Sequence, residues 1–273
     1  MLNFDIISFL QLLSMKIVFV GAGNLATHLA PVLCRAGHKA VQVFSRTQAS
    51  ASKLAGLLGT QSTTVLEEVC CDADAYVISV KDDALPELVA RLCGKCGDAL
   101  FIHTAGSVPM DVFKGHAKRY GVIYPMQSFS KNRPLDLSHV PFYIEANSDA
   151  ALGVVRTLAE SVSDRVRVLS SADRRYLHLA AVFACNFVNC CYNLASDTVE
   201  AVGIPFSDFL PLIDETAAKV HVLTPHEAQT GPAVRYDQTV IGRQVALLDG
   251  HPDVRRVYEA LTDTIHNLHK EKP

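Results

Sequence analysis

Tryptophan is missing from the chain, methionine occurs four times, and there is no basic excess: 25 Lys and Arg stand against 28 Asp and Glu, a formal net charge of −3. A nucleic-acid or anionic-membrane surface calls for a basic excess, so neither is expected as a partner. A small anionic ligand stays open, because a few placed arginines suffice for one. Signs of disorder are lacking too. Apolar residues make up 49% of the 273 positions and charged ones 19%, enough to fill a real core in one large or two ordinary domains.

Of the eight cysteines, Cys93-Gly-Lys-Cys96 has no second half elsewhere, and no four ligands stand at zinc spacing. No metal is expected, and buried free thiols in a reducing, cytoplasmic compartment are the plain reading. The opening fourteen residues, MLNFDIISFLQLLS, have no positive start, no small-residue cleavage site and too little length to span a bilayer. They read as a leader, an upstream-start artefact or a loose helix, ahead of a domain opening at Met15.

From there the chain alternates. Apolar runs of strand length occur at 16–20, 41–44, 75–80, 99–102, 121–124, 140–144 and 166–169, with helical segments such as 24–36 and 85–92 between them. Near-continuous apolar strands alternating with helices predict an α/β fold, a doubly wound, mainly parallel sheet covered on both faces. After Ser170 the character changes. A stretch capped by Ser171 or Asp173 predicts a helix of roughly thirty residues stopping at Gly203, and further helices follow. The expected division is a nucleotide-binding domain over 15–170 and an all-helical domain over 171–273.

The first strand runs into Gly21-Ala22-Gly23-Asn24-Leu25-Ala26, a GxGxxA turn with the strand before it and helix after it that a dinucleotide loop requires. Gly21 permits the tight turn, Gly23 the approach of a pyrophosphate, and Ala26 close packing of the helix. The helix start supplies N–H donors. What the second strand lacks decides the nucleotide. An NAD site ends that strand with a carboxylate for the ribose 2′-hydroxyl. Here stands Ser45-Arg46-Thr47, with no carboxylate until Glu67. A guanidinium between two hydroxyls suits a 2′-phosphate that a carboxylate would repel. The expected cofactor is NADP(H).

With these features the chain resembles the NADP-binding Rossmann reductases with a helical C-terminal domain, the superfamily of 6-phosphogluconate and β-hydroxyacid dehydrogenases and pyrroline-5-carboxylate reductase. More closely, it resembles the NADP oxidoreductases whose Rossmann-like domain is joined to a DUF2520 domain. The stretches HTAGS (103–107), YPMQSFS (124–130), HLAAVFACNFVN (178–189) and AQTGPAVRYD (228–237) carry that resemblance. The resemblance leaves the substrate undefined and implies a homodimer formed through the helical domain. The non-acidic fingerprint and the polar flank of the long helix described below point to a small-molecule carbonyl or imine acid reduced in an interdomain cleft.

Ligands of parallel sheets gather at the carboxyl ends of strands. Val80, Lys81 and Thr104 are expected there on the cofactor's ribose and nicotinamide side. Lys81 reads equally well as a solvated loop residue, and His103 more plainly as a satisfied histidine at a strand end. By the resemblance, Gln127 and Ser128 lie where relatives hold substrate. At about 100° per residue, His178, Asn186, Asn189 and Asn193 share one flank of the long helix. They either line a polar cleft or bond neighbouring backbone. The related dehydrogenases carry a lysine and an asparagine on this helix. No lysine occurs here between Lys131 and Lys219. His178 would take the lysine's place as proton donor, with Asn186 orienting the substrate beside Asn189. Thr230 and Arg235 read either as a helix cap with a surface arginine or as a pair that binds a substrate anion. The missing lysine keeps a second reading open, a non-catalytic NADP(H) sensor.

Overall fold

A strand buried on both faces must be apolar at every position, and Lys16–Val20 (β1) is apolar after its first residue. Its side chains alternate between two cores. Ile17 and Phe19 pack with one cluster, Val18 and Val20 with the other. The structure, a computed structural model, describes residues 14–270, so nearly all of the expected leader lies outside the described residues.

After β1 come α1 (Asn24–Arg35), β2 (Lys39–Phe44), α2 (Gln48–Leu58), β3 (Gln61–Thr63), β4 (Ala75–Ile78), α3 (Leu85–Lys95) and β5 (Leu100–His103). Then follow β6 (Arg119–Pro125), β7 (Phe142–Ala146), α4 (Asp149–Glu160) and β8 (Val166–Val168). The eight strands order as β3-β2-β1-β4-β5-β6-β7-β8. Every neighbouring pair is parallel except β6 and β7, which run antiparallel. Leu29 and Leu33 of α1, Leu54 of α2 and Val155 and Leu158 of α4 cover one face. Val89 and Leu92 of α3, with Phe113, cover the other. This is the expected doubly wound sheet. The strand that periodicity does not reveal is β3, whose sequence is Gln-Ser-Thr. It pairs with β2 through backbone at the sheet edge and has no apolar face to show.

The long helix is present, with two differences. Its N-cap is Ser170, which accepts from the Asp173 backbone N–H at 3.1 Å. Ser171, one of the expected caps, is inside the helix. The run from Ser171 to Glu200 is also not uniform: α5 (Ser171–Ala181) passes through a π-helical segment, Val182–Phe187, into α6 (Val188–Glu200). A π segment changes the residue-to-residue step. The 100° reckoning therefore does not carry from His178 to the asparagines beyond it. There follow α7 (Leu210–Lys219), α8 (Pro225–Ala228), α9 (Pro232–Arg235), α10 (Gln238–Ala246) and α11 (Pro252–His269). The chain divides into compact units Met1–Cys185 and Asn186–Pro273, later than the expected 170. The first turns of α5 stay with the sheet because a buried ion pair described below holds them there.

The cysteines depart from the expectation of free thiols. Cys71 and Cys96 form a disulfide, with Cα atoms 4.8 Å apart. Lys95 at the end of α3 donates to the backbone carbonyls of Glu67 and Val69, and that docks Cys96 beside Cys71. Cys93, the other half of the CxxC pair, remains a thiol, pushed up to about 12 by burial.

Candidate functional site

Three strand ends converge on a cavity of about 260 Å³. Gly21, Ala22 and Gly23 line it after β1, Ser45, Arg46 and Thr47 after β2, and Ser79, Val80 and Lys81 after β4. Since β1 lies between β2 and β4, this is where the winding of the sheet reverses, the place where such sheets bind ligands. Gly21 has φ 110°, and a Cβ there would run into the Ser79 carbonyl oxygen. No other residue suits the turn. At Gly23 the nearest atom to a would-be Cβ is that same oxygen, at 4.0 Å, so the missing side chain leaves free space at the start of α1. Ala26 is buried and lets α1 lie on the sheet.

Charge completes the description. Arg46 is exposed, and among the described residues no carboxylate pairs with it. Glu67, the first carboxylate after β2, is engaged by Arg91 instead. A larger cavity, about 600 Å³, opens where Met15, Asp74 and Asp98 meet the Cys71–Cys96 pair. Among the described residues it has no glycine turn at a helix start, and its lining mixes Asp74 and Asp98 with Arg119.

A second constellation forms around the start of α5. Arg174 is 1% exposed and donates to Glu145 Oε2 of β7 at 2.8 Å and to the Val108 carbonyl at 2.7 Å. Ser171 donates to the same carboxylate through its hydroxyl (2.5 Å), while its backbone N–H donates to Glu145 Oε1 (2.9 Å). One helical turn beyond Arg174, on the same face, stands His178. Its Nδ1 lies 3.1 Å from the Tyr124 hydroxyl at the end of β6, the rings edge-on with centroids 6.0 Å apart. Burial holds the Tyr124 hydroxyl above the usual tyrosine range, so it keeps its proton. Gly106 closes the back of the pair. A Cβ there would sit 2.9 Å from the Tyr124 ring and against the His178 imidazole. His103 has a different character. It is fully buried, accepts from the Ala105 N–H at Nδ1, and is pushed down to about 3 by burial and then by the charge of Arg174. It stays neutral. Among the described residues its Nε2 makes no hydrogen bond of good geometry, although the Pro109 backbone close by favours the protonated ring, so the expectation of a satisfied histidine is met in full at Nδ1 only.

Residues 16–105 match the family described as NADP oxidoreductase, coenzyme F420-dependent, and residues 140–265 match a domain of unknown function, DUF2520. The chain is similar to the crystal structure of the putative NADP oxidoreductase BF3122 from Bacteroides fragilis, at 47% identity and TM-score 0.90 over 93% of this chain and 99% of that one. This chain belongs to the NADP oxidoreductases that join a Rossmann-like domain to a DUF2520 domain. The likeness extends to an imine reductase from Myxococcus stipitatus in complex with NADP+ (16% identity, TM-score 0.63, 94% of this chain and 93% of that one). It also reaches a 1-pyrroline-5-carboxylate reductase from Streptococcus pyogenes (14%, 0.61, 93% and 99%). Those two share the fold. Among curated proteins none matches.

In this NADP oxidoreductase the cavity fits its cofactor: a Cβ-free turn under a helix start, and an unpaired guanidinium between two hydroxyls. The side chains of the other expected ligands have partners or surroundings of their own. Asn24 turns its amide to the Phe129 carbonyl (2.9 Å), and Leu25 packs against the core. Thr104 stands behind the cavity, 3.0 Å from Ser79 Oγ. Gln127 and Ser128 are exposed in the loop after β6, bonded to one another. Asn186, Asn189, Thr230 and Arg235 are exposed on the second unit, and Asn193 donates to Asp197. Glu145 and Arg174 escaped the sequence reading, while Gly106 and Tyr124 entered it only as members of the HTAGS and YPMQSFS stretches, without the pairing to His178. Tyr124 reads as one more apolar strand residue, and the others join only through the fold.

Proposed function

We propose that this NADP oxidoreductase reduces a small carbonyl or imine compound bearing an acid group, with His178 giving the substrate heteroatom its proton. The observation that carries the reading is the Tyr124–His178 pair. When Tyr124 donates to Nδ1, the imidazole carries its own proton on Nε2, which becomes the donor. NADPH, when bound, supplies the hydride. The protein's part is to orient the acceptor and protonate it. In this reading Gln127 and Ser128, on the same unit as His178, orient substrate. On the helical unit Asn186, Asn189, Thr230 and Arg235 stay candidate ligands in their own right, Arg235 being exposed and without a carboxylate partner among the described residues. The test is a panel of 2-oxo, 3-oxo and cyclic imino acids with NADPH oxidation followed by absorbance. His178→Ala is expected to lower kcat/KM by about 10²–10⁴ while NADPH affinity stays within about twofold. Because no lysine lies between Lys131 and Lys219, the second reading is a non-catalytic NADP(H) sensor. NADPH binding with no turnover on the whole panel would favour it.

The proposal includes a homodimer. Among the described residues of Asn186–Pro273 only Ala233 and Thr262 are buried, and Val222 and Leu247 are 82% and 81% exposed. An apolar trough of about 440 Å³, lined by Leu194, Val199, Leu247, Val257 and Leu261, runs along it. A helical unit that covers so little of itself needs a partner, and a second copy supplies the same apolar face by two-fold symmetry. A bilayer suits it less. Ser171–Glu200 is long and apolar enough to cross a membrane by length and composition. Yet Arg174 is engaged with Glu145, and Asn186, Asn189 and Asn193 would put three amides at membrane depth. Light scattering is expected to give twice the chain mass in the absence of detergent; the mass of a single chain would overturn this part.

A further inference from the structure

The nucleotide cavity has a cation that none of its three strand ends supplies. Lys131, from the loop after β6, lines it beside Gly21, Ser79 and Lys81. Two hydrogen bonds from α1 bring the loop there. Asn24 Nδ2 donates to the Phe129 carbonyl at 2.9 Å, and His28 Nε2 donates to the Ser130 carbonyl at 3.0 Å. The His28 ring leans on Phe129, centroids 5.5 Å apart. Asn24 is the first residue of α1 and His28 stands one turn later. The loop is thereby strapped to the end of the helix that carries positive potential, where a pyrophosphate is held. Arg46, by contrast, stands at the end of β2, on the side where the ribose 2′-position is read. Lys131 is exposed, and among the described residues no carboxylate pairs with it.

We propose that Lys131 is a cofactor-binding residue whose ammonium neutralises the dinucleotide pyrophosphate, delivered by a strap, residues 126–133, tied to the start of α1. This rests on the reading that the cavity holds NADP(H). Of the three cations that line the cavity, it assigns Lys131 to the bridge and Arg46 to the 2′-phosphate. It also explains why Asn24 faces the strap. Because Gln127 and Ser128 belong to the same strap, cofactor binding would set the position of the proposed substrate-holding loop.

The experiment uses the full chain with Lys131→Met, which keeps the stem and removes the charge, Arg46→Met, and the double variant. NADPH affinity is measured by nicotinamide fluorescence and calorimetry. Lys131→Met is expected to weaken binding by about three- to tenfold, the range of a charge-assisted contact at an exposed site. It should also flatten the salt dependence. In the double variant the two losses are expected to multiply within about twofold, since contacts to separate phosphates do not share a partner. Losses that fail to multiply would put both cations on one phosphate and overturn the assignment. In parallel, NADPH is expected to slow tryptic cleavage after Lys131, followed by mass spectrometry. Unchanged affinity together with unchanged cleavage would overturn the role of Lys131 while leaving the cofactor reading intact. Failure of the wild-type chain to bind NADPH would remove both.

Discussion

Replacing Arg46 with glutamate is expected to weaken NADPH binding by about a hundredfold and to change NADH binding by less than about threefold. The first part of the effect is the loss of charge-assisted hydrogen bonds to a phosphate, about 1.5–3 kcal/mol each way the contact is made. Solvent screening at an exposed arginine keeps that contribution at the lower end. The second part is repulsion, because a carboxylate then stands where a doubly charged phosphate must sit. NADH has no such phosphate, and its 2′-hydroxyl can donate to the new carboxylate. Parallel titrations with both nucleotides decide the matter. Equal losses for the two would mean that Arg46 reads something other than the 2′-phosphate.

Arg174→Met should be the most damaging single change to stability. The arginine is buried against Glu145, itself only 17% exposed, and removing one member strands the other's charge away from water. Breaking a buried pair in this way costs about 3–5 kcal/mol. For a sheet unit of this size that corresponds to a fall in Tm of about 10 °C. Removing the carboxylate as well, in Arg174→Met with Glu145→Leu, should restore most of the loss, since no unpaired charge is left. The measurement is thermal melting followed by circular dichroism. A single variant that melts with the wild type would show that α5 is held to β7 by packing and not by charge. His178 follows one turn behind Arg174, so the single variant should also free the imidazole from Tyr124.

Local rules carried much of the nucleotide-binding half. Ile17, Val18, Phe19 and Val20 announce a strand buried on both faces, and Gly21, Gly23 and Ala26 announce the turn beneath a helix start. Those requirements act within a few residues of one another, and so they are written in order along the chain. β3 is not written that way, because an edge strand of Gln, Ser and Thr is held by backbone alone. The phase of the long helix also lies outside sequence periodicity: the π segment at Val182–Phe187 alters the step that a regular helix assumes.

NADP(H) as the expected cofactor was legible in sequence alone, since Ser45-Arg46-Thr47 stands at a strand end with no carboxylate beside it and that signal needs no distant partner to have meaning. Tertiary structure alone decided which groups meet. Tyr124 and His178 are 54 residues apart, Glu145 and Arg174 29, and Asn24 and Phe129 105. Hydrogen bonds form between atoms within about 3 Å, and only the winding of the sheet brings such distant positions within that reach.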